Sequence, residues 1–219
     1  PITRRPAPYG GLAEGFWYAL GVNNLRTLVV IPTFNERENI VALVESVLGL
    51  YPNIDILIVD DASKDGTADA VREAQKRHGE RLDLLVRAGK NGRGSAVLDG
   101  FRRGLTKPYE LFFEMDADFS HRPEEIALFI PLMERCGMVV GSRYVPGAEI
   151  RDWPRKRTFF SHFANRYARL VLRIPIADYT NGFRCYTRAA IEAIDMDRID
   201  ARGYVVLSEV SYQLHRKGF

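Results

Sequence analysis

Two acidic residues, separated by a single residue, follow an apolar run where the sequence predicts the end of a buried strand. The run is YELFF, and the stretch EMDADFSH that follows it contains Asp116 and Asp118. Alternate residues of an extended strand end point to the same side, so the two carboxylates are predicted to converge. They would repel each other unless a cation joined them, and oxygen ligands suit Mg²⁺ or Mn²⁺. Because such ions bridge phosphates, the sequence predicts a metal site for a nucleotide diphosphate.

Polar residues also follow three other apolar runs of the chain. They are Pro32 to Glu36 after the first run, Asp60 to Ser63 after the second, and Ser142 to Tyr144 after the fifth. In an open parallel sheet, ligands bind beyond the carboxyl ends of the strands, so these stretches are predicted to line one site. Each stretch also has a structural interpretation as a turn or a helix cap. Asn35 with Glu38, for example, fits a capping box.

A glycine-rich stretch, RAGKNGRGSA at 87–96, precedes a predicted helix near 94–105. It lacks the GxxxxGK[ST] order of a P-loop, and Val97 occupies the last glycine position of a GxGxxG motif. The sequence therefore disfavours an ATPase and a dehydrogenase. Two interpretations stay open for the stretch, which are phosphate contact through Lys90 or Arg93 and a plain turn before a helix.

The elements that position these residues alternate along the chain from Leu25 onwards. The predicted strands are TLVVI, IDILIV, LDLLV, ELFFEM and MVVG, and the predicted helices begin near Asn35, Thr67, 94 and Pro123. Strands that alternate with helices predict an α/β fold whose mainly parallel sheet is flanked by helices on both faces. Residues 1–25, rich in proline and glycine, are expected to form a linker or terminal arm, and residues 26–219 one domain.

Composition narrows the class of protein further. The chain has 219 residues, of which 46% are hydrophobic, so it can bury the core of one domain. The net charge of +3 and the absence of a recognised nucleic-acid-binding module predict no nucleic-acid partner. Cys136 and Cys185 form no CxxC motif, which disfavours a disulfide framework and structural zinc. No apolar run reaches about 18 residues and the start does not resemble a signal peptide, so we expect a cytosolic domain.

A basic and aromatic segment runs from Trp153 to Ala177, with six Lys or Arg and no Asp or Glu. As a helix it would carry an apolar stripe beside a basic flank. The stripe is Phe159, Phe163, Tyr167, Leu170 and Ile174, and the flank is His162, Arg166, Arg169 and Arg173. Such faces suit a membrane headgroup boundary, and the alternative is a core-packing helix with a solvated flank.

Several motifs together resemble a known family. IPTFNERENI, VDDASKDGT, the Asp-x-Asp of MDADFSH, GSRYVPG, DWP and the D-x-x-x-GFR of Asp178 to Arg184 follow one another as in family 2 glycosyltransferases of the GT-A fold. Over about Leu25 to Phe219 the chain looks most like the dolichol- or polyprenol-phosphate mannose synthases. The resemblance implies a Rossmann-like GT-A domain that transfers mannose, with inversion, from GDP-mannose to a polyprenyl phosphate. It also implies dependence on Mg²⁺ or Mn²⁺ and peripheral contact with the cytoplasmic face of a membrane.

The resemblance further implies roles for individual residues. Contacts to the donor nucleotide would come from Pro32, Phe34, Glu36, Val59 and Asp61, and contacts to its diphosphate and metal from Asp116, Ala117, Asp118, Ser120 and Arg143. The implied metal ligands are Asp116, Asp118 and Ser120. The implied catalytic residues are Asp118, Arg143 and Asp178, where Asp178 orients the sugar or the acceptor, or alternatively caps its loop. Arg157 and Ser161 would bind the acceptor phosphate.

The sequence departs from the family pattern at a few positions. Phe34 replaces a usual tyrosine, Ser120 a frequent glutamine among the metal ligands, and Asn181 a serine before GFR. Family members continue past KGF with a further strand and a basic segment, so the domain is expected to be incomplete at its C-terminal end. The start at proline predicts processing from a longer protein, with a fused or partner membrane domain. The alternative functions are a related transferase that uses UDP-glucose or another acceptor, and an inactive nucleotide-binding module.

Arg157 and Ser161, four positions apart, would share one face of a helix and grip the lipid phosphate together. Arg157→Ala is therefore expected to raise the KM for polyprenyl phosphate strongly, because losing a charge-assisted hydrogen bond costs roughly 1.5 to 3 kcal/mol. The affinity for GDP-mannose is expected to stay nearly unchanged. Steady-state kinetics with each substrate varied in turn check this, and weakened donor binding with unaltered acceptor kinetics would contradict it.

Overall fold

The computed structural model describes residues 25–145, 165–170, 172–199, 203 and 205–219. Six strands of this part form one sheet in the order β3-β2-β1-β4-β6-β5. They are β1 (Thr27–Thr33), β2 (Ile54–Asp60), β3 (Leu82–Val86), β4 (Leu111–Glu114), β5 (Met138–Val140) and β6 (Arg184–Thr187). All neighbours are parallel except β6, which runs antiparallel to both β4 and β5. The predicted mainly parallel sheet is confirmed, and β6 is a strand that the sequence pattern did not indicate.

Six α-helices lie between or after these strands in the described ranges. They are α1 (Arg37–Leu50), α2 (Thr67–His78), α3 (Arg93–Leu105), α4 (Ile126–Phe129), α5 (Arg188–Ala193) and α6 (Val205–Arg216). The helix predicted from Pro123 is instead a short α4 between two 3-10 turns, Pro123–Glu125 and Ile130–Glu134. Residues 165–170 are also helical. None of the helices in the described residues is long and apolar enough to cross a membrane.

The apolar side chains of the sheet divide between two core layers, because successive residues of a strand point to opposite faces. In β1, Val29 and Ile31 pack with α1 and α2, whereas Leu28 and Val30 pack with α3, α5 and α6. Both layers are fully buried, which explains why β1, β2 and β4 read as nearly continuous apolar runs. Helices on both faces thus fix the sheet, and the strand ends remain open for a site.

Helix α3 lies very close to the sheet because glycines face the strands. A Cβ atom on Gly100 would overlap Val30, and one on Gly104 would overlap Leu28 and Phe112. This close approach places Arg93, the first residue of α3, beside the end of β4.

The described part of the basic and aromatic segment is divided between the surface and the core. Tyr167 and Leu170 are 61% and 74% exposed, whereas Ile174 is 3% exposed. The three residues of the predicted stripe that lie in the described part of the chain therefore do not form one continuous apolar face. Arg157, Ser161, Phe159 and Phe163 lie outside the described residues, as do residues 1–24 of the predicted arm.

Two helical glycines give a matched test of this packing. Gly100→Ala on α3 is expected to lower the free energy of unfolding by about 1–3 kcal/mol, because the new methyl group overpacks the core against Val30. Gly49→Ala on α1, where a Cβ meets nothing within 4 Å, is expected to raise it by roughly 0.5–1 kcal/mol. Urea unfolding of both variants checks the pair, and equal effects would contradict the close packing of α3.

Candidate active site

The carboxyl ends of β1, β2 and β4 are followed by unusual backbone. Of the four non-glycine residues with positive φ in the described residues, three lie here: Asn35 at 59°, Ala62 at 57° and Phe119 at 58°. An asparagine tolerates this region, but alanine and phenylalanine adopt it only when the surrounding structure imposes it. Such strain concentrates at binding and catalytic sites, so this edge of the sheet is the candidate site.

The loops after β1 and β2 are tied to each other through Asn35. Its side-chain oxygen accepts a hydrogen bond from the backbone N–H of Lys64 at 3.0 Å, and its own N–H donates to Ser63 Oγ at 2.8 Å. The capping box predicted from Asn35 and Glu38 is therefore wrong. Helix α1 begins at Arg37, and its N-cap Glu36 makes no side-chain cap.

Asp65 supplies the missing cap for two helices at once. Its carboxylate accepts from the backbone N–H of Arg37, the first residue of α1, and from that of Thr67, the first residue of α2. An acidic side chain there also complements both helix dipoles. These loops line a polar cleft of about 520 Å³ that is bounded by Asn35, Glu36, Glu38, Asn39, Lys64 and Asp65.

Asp61 clamps the glycine-rich loop after β3. Its Oδ2 accepts from the backbone N–H groups of Asn91 and Gly92, at 3.1 Å and 2.7 Å. Arg87 Nη1 lies 2.8 Å from Oδ1 as an ion-pair partner, yet among the described residues this buried oxygen makes no hydrogen bond. The charge of Arg87 therefore compensates this buried oxygen.

The other residues implied for the nucleotide differ in accessibility. Phe34 is 38% exposed, and Lys90 Nζ lies 3.6 Å above the centre of its ring in a cation–π contact. Pro32 is half-buried. Val59 is fully buried in the core under α3, so any contact to a ligand must come from its backbone.

A buried charge cluster joins the end of β4 to the start of α3. Arg93 donates through Nε to Asp116 Oδ1 at 2.6 Å and through Nη1 to Glu114 Oε2 at 3.0 Å. Its Nη2 donates to the carbonyl of Gly182 at 3.1 Å, and Tyr186 donates to the other oxygen of Glu114. Burial would lower the pKa of Arg93, but the charges of Glu114 and Asp116 outweigh it and raise that pKa.

Glu114 and Asp116, which are alternate residues at the end of β4, point to the same side and both contact Arg93. Strand β4 ends at Glu114, and the left-handed residue Phe119 belongs to the turn that follows. Asp118 is exposed in that turn and accepts from the backbone N–H of Ser120 at 3.0 Å. Burial would raise the pKa of Asp118, but hydrogen bonds from Ser120 lower it, so its carboxylate is ionised.

His121 locks the acidic turn onto the loop before β6. Its Nδ1 accepts from the backbone N–H of Asp116 at 3.0 Å, which leaves Nε2 as the donor to Asn181 Oδ1 at 2.9 Å. The ring stacks on Phe183 with centroids 4.8 Å apart. Burial is the main cause that lowers the pKa of His121, and the neutral ring matches its two hydrogen bonds.

Arg143, in the loop after β5, and Asp178, in the loop before β6, form a bidentate pair. Nε and Nη2 of Arg143 lie 2.7 Å and 2.9 Å from the two oxygens of Asp178, and Nη2 also donates to Thr180 Oγ1. Asp178 is fully buried and caps its loop by accepting from the N–H groups of Thr180 and Asn181. Burial would raise the pKa of Asp178, but hydrogen bonds and charge from Arg143 lower it.

The arginine of the GFR motif has a structural role in this loop. Arg184 is completely buried, and it donates to the carbonyls of Tyr179, Asn181 and Leu207 and to Ser211 Oγ. These bonds tie the 178–184 loop to helix α6.

The acidic turn suits a hard divalent cation in part. Because Arg93 holds Oδ1 of Asp116, a metal would be held through Oδ2, together with Asp118 and the exposed hydroxyl of Ser120. Among the described residues, no group of three His, Cys, Asp or Glu side chains suits a metal ion. The residues therefore fit an ion whose remaining ligands are phosphate oxygens and water, as Mg²⁺ or Mn²⁺ prefers.

The sequence pattern did not reveal the structural roles of three residues of the site. Glu114 was part of the acidic stretch, and a carboxylate that ends an apolar strand is a signal that a buried cation must lie nearby. Arg93 is that cation, whereas the sequence left phosphate contact and a plain turn as the two interpretations of its stretch. His121 offered no signal, because its partners lie on the backbone of Asp116 and on the distant Asn181.

Comparison with known proteins identifies the family. Residues 28–195 match the model of Glycosyl transferase family 2, and the chain belongs to that family. It is 40% identical over 195 residues to a polyprenol monophosphomannose synthase of Mycolicibacterium smegmatis, with 89% of this chain and 74% of the relative covered. It is 36% identical over 194 residues to an undecaprenyl-phosphate mannosyltransferase of Micrococcus luteus, and the alignment covers 89% of this chain and 79% of that relative.

Solved structures confirm the fold at lower sequence identity. A glucosyl-3-phosphoglycerate synthase from Mycobacterium tuberculosis, solved with Mn²⁺, UDP-glucose and phosphoglyceric acid, gives a TM-score of 0.65 at 17% identity, covering 95% of this chain and 69% of that chain. The mannosyltransferase PcManGT from Pyrobaculum calidifontis, solved with GDP-Man and Mn²⁺, gives a TM-score of 0.53 at 20% sequence identity. That alignment covers 84% of this chain and 54% of PcManGT. The predicted Rossmann-like GT-A fold is confirmed.

The burial of His121 predicts how the free energy of unfolding depends on pH. Because burial lowers its pKa below the ordinary 6.5, the unfolded chain binds more protons at this residue as the pH falls through that value. The free energy of unfolding should therefore decrease from about pH 6.5 towards pH 5, and less steeply in His121→Gln than in the wild type. Urea unfolding across this range measures both slopes.

The control is His215→Gln, which changes an exposed histidine on α6 and should keep the wild-type slope. An unchanged slope in His121→Gln would show that this ring does not titrate differently in the folded protein.

Proposed function

We propose that this chain transfers mannose from GDP-mannose to a polyprenyl phosphate, with inversion at the anomeric carbon. The observation that carries the proposal is the arrangement at the sheet edge. The acidic turn after β4 is joined to the start of α3 through Arg93, and through His121 and Asn181 to the loop of the Arg143–Asp178 pair, so a diphosphate there would meet carboxylates and guanidinium groups. The names of the two relatives support mannose as the sugar and a polyprenyl phosphate as the acceptor.

The donor nucleotide would lie across the ends of β1 and β2. Asp61, which Arg87 and the backbone of the glycine-rich loop hold in place, is proposed to contact the base. Phe34 offers a ring at the entrance, and the backbones of Pro32 and Val59 lie opposite each other at the paired strand ends. Glu36 borders the polar cleft, where a ribose hydroxyl would find an acceptor.

The diphosphate would lie against the acidic turn, on the metal side. Asp116, Asp118 and Ser120 would hold Mg²⁺ or Mn²⁺, while Ala117 would contribute only backbone because its side chain is buried. When bound, such an ion offsets the negative charge that builds on the departing diphosphate. Arg143 offers a guanidinium to the diphosphate, and its pairing with buried Asp178 orients that group before the substrate arrives.

The acceptor needs no protein base in this mechanism. A phosphate monoester has a second pKa of about 6, so the lipid phosphate is largely a dianion at neutral pH and can attack the anomeric carbon directly. In this proposal, Asp178 holds Arg143 and its own loop instead of removing a proton.

The chain is also proposed to contact a membrane surface. Arg157 and Ser161 are proposed to bind the acceptor phosphate, and the exposed Tyr167 and Leu170 stand among arginines on the helix at 165–170. Basic residues beside exposed apolar residues favour peripheral binding at an anionic headgroup layer, here on the cytoplasmic face. A fused or partner membrane domain would strengthen that attachment.

Transfer of labelled mannose to a lipid extract tests the proposed function. Labelled mannose from GDP-mannose should appear in the polyprenyl phosphate fraction in the presence of Mn²⁺ and not in EDTA. Labelled lipid from UDP-glucose in place of GDP-mannose would show a related transferase. Nucleotide binding without any labelled lipid would show an inactive module.

The metal site predicts the effect of one isosteric substitution. Asp118→Asn should weaken the Mn²⁺-dependent affinity for GDP-mannose at least about tenfold, because an amide replaces a charged ligand. The melting temperature should stay the same, since Asp118 is exposed. Calorimetric titration with Mg²⁺, Mn²⁺ and EDTA measures the effect, with Asp69→Asn on α2 as the exposed control. Equal wild-type affinity in all three conditions would exclude the metal site.

A further inference from the structure

Arg93 lies where the carboxylates of Asp116 and Glu114 require a positive charge. Its three donor nitrogens contact three different groups, which are the carboxylates of Asp116 and Glu114 and the carbonyl of Gly182. The Arg93 side chain is 14% exposed, and Glu114 is 1% exposed. A Cβ atom on Gly182 would overlap the guanidinium, so the 178–184 loop has a glycine at the point where Arg93 crosses it. The arginine is therefore an integral part of the site.

The charge of Arg93 opposes that of the proposed metal ligands. Asp116 carries one carboxylate oxygen on the guanidinium and would offer the other to the metal, so both cations act on the same side chain. Two positive charges that share one carboxylate repel each other, and this repulsion weakens divalent-ion binding to the free protein. A diphosphate brings additional negative charge, which removes that penalty.

We propose that Arg93 is a positioning residue that acts as a resident counter-cation for the acidic turn. In the free protein it neutralises Asp116 and holds its Oδ1, so that a divalent ion binds well only together with a nucleoside diphosphate. Arg93 thereby couples metal binding to donor binding. This inference rests on the proposed function, in which Asp116 holds the metal.

The coupling has a thermodynamic consequence that a purely structural arginine would not produce. If Arg93 suppresses binding of the free ion, removing its charge must tighten Mn²⁺ binding in the absence of nucleotide. The factor by which GDP tightens Mn²⁺ binding must then decrease, because the diphosphate no longer relieves a repulsion from Arg93. By linkage, the factor by which Mn²⁺ tightens GDP binding decreases equally. A damaged site would instead bind Mn²⁺ more weakly.

The test is Mn²⁺ binding to the full chain, followed by the electron paramagnetic resonance signal of free Mn²⁺, with and without GDP. Arg93→Gln, which is neutral, is expected to bind Mn²⁺ alone at least about tenfold more tightly than the wild type. Arg93→Lys, which keeps the charge but not the fork of donors, is expected to stay within about threefold of the wild type. Arg102→Gln, on the same helix but paired with Asp99 and Asp197 at the surface, is the matched control.

Arg93→Gln leaves Glu114 buried without its partner, which destabilises the fold. A second variant without a buried unpaired charge is therefore compared as well. Arg93→Gln combined with Glu114→Gln removes both charges and still frees Asp116. This double variant should bind Mn²⁺ more tightly than Glu114→Gln alone. Unchanged or weaker Mn²⁺ binding in a folded Arg93→Gln protein, or in the double variant, would overturn the proposal.

The binding experiment also separates this inference from the proposed function. Asp116→Asn should abolish the tight Mn²⁺ binding of Arg93→Gln, and if that binding persisted, the counter-cation role at Asp116 would be refuted. Mannose transfer by the wild type is measured independently. Its absence would refute the proposed function, whereas Mn²⁺ binding alone decides whether Arg93 acts as the counter-cation.

Discussion

The contact on which the rest of the site depends is the ion pairing of Arg93 with Glu114 and Asp116. Glu114 is buried at the end of β4, and a buried carboxylate is tolerated only when a cation and hydrogen bonds compensate it. Arg93 supplies the charge and Tyr186 a hydroxyl donor. Breaking such a pair by removing one partner typically costs about 3–5 kcal/mol, so the start of α3 and the end of β4 are held together strongly.

Packing explains how the arginine reaches its partners. Glycines on α3 let the helix approach the sheet, and Gly182 leaves room for the guanidinium beside the 178–184 loop. That loop is fixed in turn by buried Arg184 and by Asp178, whose pairing with Arg143 orients the guanidinium of Arg143. The core therefore determines where the charges stand, and the charges determine where an anionic substrate can bind.

The sequence predicted the parallel strands and most helix starts, because these depend on local periodicity and on turn residues. It did not predict β6, which is short, antiparallel and formed from RCYT within a loop motif. The pairing of Asp116 with Asp118 was expected from strand geometry, but the strand ends two residues before Asp116 and the chain then turns. Asp61 clamping Gly92, and His121 joining Asn181, are contacts between distant parts of the chain, which no local pattern reveals.

Binding of the metal and of the donor diphosphate is proposed to occur at the acidic turn after β4. Anomalous diffraction at the manganese edge, from crystals of the chain grown with GDP and Mn²⁺, locates the ion. One anomalous peak is expected beyond the end of β4, in contact with Asp118 and with the oxygen of Asp116 that Arg93 does not hold. A peak in the polar cleft beside Glu36 and Asp65, with the diphosphate on it, would show that the acidic turn is not the metal site.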